Sequence, residues 1–370
     1  MEEHIVCHTD RCACGNKFHK NSEIIELPNG DLFAAWFANS RGDRGELHRE
    51  TNVYGSRLPA GANTWEDARV LVDVPGRPVQ PPVMFFGPDD QLWLLVTQFY
   101  GSIHTSRPFV KRSSDNGYTW SDLELLHDRS GIYLKNPPVH VDDKGWWVLG
   151  VDIEHGAGNR PGFLVIMDDY CDRPADFPIL VGGDQIVPQE TGLVHGHRGF
   201  RYPTPVELTD GRLRAYLRPV GGGRLWMTHS ADGGITWSTA TETNIPNPDA
   251  GYDVIRTRTG NLVLVDNPVN AEMPKGRNEL ALFLSEDDGE TWPYQLTLEY
   301  EELDKPVSEL NPVGRPDFTY GSLTQTQDGT IHVVYEYRRA GIKHVAITEA
   351  EVCDRSSDEP IVEEMAEPTR

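Results

Sequence analysis

The chain has 370 residues, 34 of them Lys or Arg and 57 Asp or Glu, a formal charge of −23. That charge repels phosphate backbones and anionic headgroups, which argues against nucleic acid or a membrane surface as partner, and no apolar run approaches the roughly 18 residues of a membrane helix. Nine Trp, 13 Tyr and 12 Phe are too many for an unfolded polyanion. In chain order, the opening MEEHIVCHTDRC lacks the basic and apolar regions of a secretory leader. A cytoplasmic protein is expected as the chain stands, and an extracellular one if a leader precedes it. Residues 1–19 read as an N-terminal lead-in, with closing a blade as its expected role. Turn-then-strand segments then recur at Asn29-Gly30, Asp89-Asp90, Asp143-Lys144-Gly145, Asp210-Gly211, Thr259-Gly260 and Asp328-Gly329, opening stretches such as LFAAWF, LWLLVTQF, LRAYLR and IHVVYEY. Between them lie Ser113-x-Asp115-x-Gly117-x-Thr119-Trp120, Ser230-x-Asp232-x-Gly234-x-Thr236-Trp237 and Ser285-x-Asp287-x-Gly289-x-Thr291-Trp292, with a worn copy ending at Trp65. One double-length gap places a decayed copy around Asp172–Pro178. The tail 354–370 is acidic and expected to be disordered.

Six hairpin signals at a fixed period, uninterrupted by helical periodicity, predict an all-β, six-bladed β-propeller with four-stranded antiparallel blades, one domain over residues 1–353. The Ser-x-Asp-x-Gly-x-Thr-Trp segments resemble the Asp-box, or BNR, repeat of the sialidase superfamily. Their Asp closes a tight turn on backbone N–H groups, Gly permits a left-handed backbone and Trp packs between blades. These Asp residues are therefore structural. Five cysteines are an odd number and cannot form a complete disulfide framework. Cys7, Cys12 and Cys14 lie near His4, His8 and His19, but C-x4-C-x-C is not a standard zinc spacing, and no metal or cofactor is expected. The acidity fits adaptation to high salt or an ordinary acidic enzyme.

In each inner hairpin the start of the first strand and the end of the second share the rim opposite the turn. That rule sends Lys20, Arg41 and Asp43 to one rim from blade one, and Arg77, Gln80 and Tyr100 from blade two. Lys135, Asn136 and His155 come from blade three, and Arg201, Tyr202 and Arg218 from blade four. Blades five and six add Asp253 and Arg277, then Tyr320, Glu336, Arg338 and Arg339. So many cations on one face of an acidic chain read as a focused anion site. The alternative is pairing with carboxylates between blades, expected for Arg338 or Arg339.

Comparison with sialidases implies Tyr320 as nucleophile, Arg218 and Arg277 as two of three carboxylate-binding arginines, and Asp43 as acid/base. Lys20-Asn21-Ser22 stands where that family has Arg-Ile-Pro, and Tyr202 where it has the glutamate that activates the tyrosine. These departures resemble propeller polysaccharide lyases of the ulvan-lyase type, which implies Tyr202, Arg218 and His155 as the centre of a β-elimination. Arg218, with Arg201 or Lys135, would neutralise a uronate carboxylate, while Tyr202 and His155 would exchange protons with C5 and the leaving oxygen. A polysaccharide lyase acting on an anionic oligo- or polysaccharide is the expectation; a sialidase-like exo-glycoside hydrolase and a non-catalytic glycan-binding propeller are the alternatives.

Overall fold

In a computed structural model of the chain, the described residues are 1–10, 15–41, 46–155, 158–172, 177–187, 199–268, 276–303 and 315–356, the side chain of His155 excepted. Among these, 25 strands form six antiparallel sheets, a six-bladed propeller with four-stranded blades. β1 (Glu2–His8) is separate from the first blade, which comprises β2 (Phe18–Glu26), β3 (Leu32–Asn39), β4 (Asn52–Leu58) and β5 (Arg69–Val72). Blade two is β6 (Val79–Phe86), β7 (Leu92–Gln98), β8 (Arg107–Ser113) and β9 (Glu124–Leu125). In blade three the inner strand is broken into β10 (Ile132–Leu134) and β11 (Val139–Val141). Both pair with β12 (Trp146–His155), followed by β13 (Gly158–Met167) and β14 (Ile179–Gly182). Blade four is β15 (Phe200–Glu207), β16 (Leu213–Pro219), β17 (Gly223–Ser230) and β18 (Thr241–Asn247). Blade five is β19 (Asp253–Arg256), β20 (Leu262–Asp266), β21 (Glu279–Ser285) and β22 (Tyr294–Tyr300). Blade six is β23 (Phe318–Gln325), β24 (Ile331–Tyr337) and β25 (Gly341–Ile347), and its fourth strand is β1. Pairing of β1 with β25, far apart in the chain, in one sheet closes the ring. No described helix is long and apolar enough to cross a membrane.

The Asp boxes lie where the third strand of a blade turns into the fourth, on the face away from the inner-strand starts. In the second blade Ser113 Oγ donates to Asp115 Oδ1 at 2.7 Å, and Asp115 accepts from Thr119 N at 2.8 Å and Thr119 Oγ1 at 2.5 Å. The boxes at Asp232 and Asp287 repeat these bonds. Every carboxylate oxygen is thus committed to the turn. Each box tryptophan reaches back to the preceding blade: Trp120 to Phe33, Trp237 to Phe163 and Trp292 to Tyr216. Trp65 likewise meets His344 of blade six across the closure. In blade three no box tryptophan exists, and Tyr170, two residues from Asp172, packs on Trp93 of blade two instead. The core is accordingly a set of wedges between neighbouring blades, one of them shared by Val83, Trp93, Leu149 and Leu164. Trp237 stacks on Phe163 with ring centroids 3.9 Å apart and planes 11° from parallel. Trp237→Ala is expected to cost about 3–5 kcal/mol, read as a lower urea midpoint at unchanged slope.

One distortion matters for function. The inner strands of blades one, two, four and six slip register between Lys20 and Glu23, Val79 and Pro82, Arg201 and Thr204, and Thr319 and Ser322. Each is a bulge placing two residues against one, which re-aims a side chain. The re-aimed residues are Asn21, Gln80, Tyr202 and Tyr320; Asn21, Tyr202 and Tyr320 have φ of 47°, 56° and 55°. A bulky residue in that left-handed region is strained by about 1–3 kcal/mol, and such strain clusters at functional sites.

Candidate functional site

Tyr320 is the centre of the arrangement. Its ring lies against the backbone of Gly251, where a Cβ would fall 2.2 Å from Tyr320 Cδ1. Lys20 Nζ sits 4.6 Å and Arg277 Cζ 5.1 Å from the ring centroid, and Arg218 Nη1 approaches the hydroxyl at 3.4 Å. Burial alone would push this phenol up. Lys20, Arg218 and Arg277 together overcome that effect and hold it down at about 7. Tyr202, whose ring is 6.2 Å away, goes the other way. Burial and the neighbouring Tyr320 hold its proton well above the ordinary phenol range, despite Arg218 with its Cζ 4.9 Å from the Tyr202 ring centroid.

The cations are held by named partners. Arg218 Nε donates to Asp249 Oδ1 at 2.9 Å, and its Nη2 donates to the same oxygen. Arg277 Nη2 donates to the carbonyl of Asp249 at 2.6 Å, whereas its Nη1 is buried and has no hydrogen-bond acceptor among the described residues. Lys20 Nζ is 2.5 Å from Glu46 Oε1. Glu46, which nothing in the sequence singles out, has a carboxyl held low against burial by Lys20. Glu336 is fully buried, and neither carboxylate oxygen has a hydrogen-bond donor among the described residues, Arg339 Nε being 3.6 Å from Oε1. Burial lifts it to about 7 even with Lys20 and Arg339 nearby.

The remaining expected residues fall into three settings. Lys135, Asn136 and Asp253 occur at the broken strand of blade three and the start of blade five, all nearly inaccessible. Lys135 Nζ donates to Asn136 Oδ1 at 2.8 Å, and Asn136 Nδ2 donates to Thr204 Oγ1 at 2.5 Å and the Tyr252 carbonyl at 3.0 Å, tying three blades together. Burial raises Asp253 to about 6 and Glu23, bonded to Ser322 Oγ at 2.6 Å, to about 8, while Lys135 is lowered. Pairing between carboxylates and cations is more extensive than the sequence led us to expect. Arg201 bonds Glu154 at 2.7 Å beside Asp152 at 3.6 Å, Arg339 bonds Asp317 at 2.7 Å, and Arg338 pairs with Glu301. Arg41 is exposed and 3.6 Å from Glu50. Asp43 and the side chain of His155 lie outside the described residues, as do Cys12 and Cys14; Cys7 is buried. Tyr133, stacked on Tyr202 at 6.0 Å, completes an aromatic wall that no short motif announces.

A propeller whose blades are pinned by Asp boxes, with its strained tyrosines and buried cations gathered at the opposite rim, defines the class of Asp-box propellers. The chain belongs to the BNR repeat-like domain family, whose model matches residues 30–333, within the sialidase superfamily. Among curated proteins it is 23 % identical over 366 residues to the sialidase of Micromonospora viridifaciens, covering 90 % of this chain and 52 % of that protein. The chain thus spans about half the length of this relative. Among solved structures it resembles the Hadza microbial sialidase Hz136 at 17 % identity and a TM-score of 0.73, covering 95 % of this chain and 69 % of that one. It also resembles the intramolecular trans-sialidase of Ruminococcus gnavus at 14 % identity and 0.71, covering 94 % and 98 %. The α-L-arabinanase of Penicillium chrysogenum follows the same fold at 14 % identity and 0.63, covering 95 % and 99 %.

Proposed function

We propose that the protein is a carbohydrate-active enzyme that hydrolyses the glycosidic bond of a sugar bearing a carboxylate next to its anomeric carbon, a sialic-acid-type 2-keto acid. The observation that carries this reading is the Tyr320 phenol, held near 7 by three cations that outweigh burial and the nearby Glu46. A carboxylate seated among Lys20, Arg218 and the free Nη1 of Arg277 brings the anomeric carbon to the Tyr320 oxygen. That oxygen attacks, the bond to the leaving sugar breaks, and the leaving oxygen takes a proton from an acid, the role expected of Asp43. Water then attacks the same carbon and frees the Tyr320 oxygen. In sialidases a glutamate raises the reactivity of the tyrosine; here the cations do so by stabilising phenolate.

Elimination from a uronate is the second reading, favoured by the placement of Arg218 over Tyr202. Burial suits Tyr202 to the proton-donating half of that reaction and leaves the removal of the C5 proton to His155. The two chemistries separate in one pair of assays. Incubation with 4-methylumbelliferyl sialoside and glucuronide is expected to release the fluorophore from the sialoside. Under elimination, rising ultraviolet absorbance with uronic acid polymers replaces that release. Glycan binding without turnover in either assay leaves a binding propeller.

A further inference from the structure

A second cavity opens on the same rim, between blades one and two. It encloses about 370 Å³ and its lining includes Leu47, Arg49, Arg77 and Tyr100. Tyr100 and Leu47 are exposed at 40 % and 47 %, unusual for side chains of their size. Arg77 Cζ lies 4.3 Å and Arg107 Cζ 5.9 Å from the Tyr100 ring centroid. Among the described residues no carboxylate pairs with Arg49, Arg77 or Arg107. In a chain of charge −23 that is an anomaly, because the other rim cations sit beside acids. The cavity joins the Tyr320 site through Glu46. Its carboxylate meets Lys20, its carbonyl accepts from Gln80 Nε2 at 2.7 Å, and the next residue is Leu47 in the cavity wall.

We propose that this cavity is a subsite for a neighbouring sugar unit of the same glycan, one that carries its own anionic group, a carboxylate or a sulfate ester. Arg49 and Arg77 take the anion, as guanidinium groups do through paired N–H donors. The apolar face of the sugar rests on Tyr100, an amphipathic ring already exposed. The proposal rests on the reading that a glycan occupies the Tyr320 site, and it makes the preferred substrate one with two negative charges.

The test uses binding alone, so absence of sialoside hydrolysis does not disturb it. Galactose 6-sulfate, glucuronic acid, neutral galactose and inorganic sulfate are titrated by saturation-transfer NMR or calorimetry. The proteins are the full chain, R49Q/R77Q, Y100A and K20Q/R277Q. Arg49, Arg77 and Tyr100 are exposed, so their variants should melt as the parent does. The expected result is a binding component for an anionic sugar that survives in K20Q/R277Q and weakens at least tenfold in R49Q/R77Q and measurably in Y100A, with galactose silent. Preference for the sulfate or the carboxylate then names the anionic group. The proposal is overturned if R49Q/R77Q binds as the parent does, or if no anionic sugar binds K20Q/R277Q in its folded form. It is equally overturned if inorganic sulfate binds as tightly as galactose 6-sulfate and Y100A alters neither.

Discussion

Tyr320→Phe is expected to lower turnover of a sialoside at least about 10³-fold while the protein still folds, because the substitution removes only the attacking oxygen. The ring remains against Gly251 and keeps its contacts with Lys20 and Arg277. Arg218 loses the long 3.4 Å partner of its Nη1 but keeps Asp249 through Nε and Nη2, so the stability cost should stay near 1 kcal/mol. The parent enzyme should gain activity as pH rises through about 7, where the phenol ionises. A variant lacking the phenol has no such rise. Wild-type turnover in Tyr320→Phe would remove Tyr320 from the mechanism and return the centre to Tyr202, Arg218 and His155.

Lys20→Met is expected to move that pH profile upward by about one unit or more, so that activity at pH 7 falls about fivefold or further. Lys20 leads the cations that hold the phenol down, and without it burial regains the upper hand. The substitution also deprives Glu46 of its ion-pair partner, leaving a carboxylate that opposes phenolate formation. Glu46→Gln should therefore act in the opposite direction and extend activity to lower pH, since Glu46 raises Tyr320. Lys20→Arg keeps the charge and should keep the profile. A purely structural role for Lys20 predicts loss of folded protein without any displacement of the pH limbs, measured as log kcat/KM against pH.

The architecture was legible because its signals are local. The bonds that make an Asp box run between residues two to four apart, as from Thr236 to Asp232, so a short motif suffices to define the turn. The decayed copy expected near Asp172–Pro178 lies largely outside the described residues; just before it, Tyr170 packs as a wedge against Trp93. The rim followed from hairpin geometry, which places Tyr202, Arg218, Tyr320 and Lys20 on one face. What that reasoning missed was the extent of partnership. Pairing was expected for Arg338 or Arg339, and Arg201 and Arg315 sit against carboxylates as well, whereas Arg49, Arg77 and Arg107 have none among the described residues.

The sequence by itself determined the number of blades, the hairpin pairing of the inner strands and the structural duty of the box aspartates, all of which depend on neighbours along the chain. Only the tertiary structure decided the chemistry of the tyrosines. Tyr202 and Tyr320 occupy equivalent bulges and share the same left-handed backbone, so no local rule separates them. Their protons differ because Lys20, Arg218 and Arg277, drawn from three other blades, converge on one ring more than on the other. Coulomb interaction depends on distance and burial in space and ignores separation along the chain.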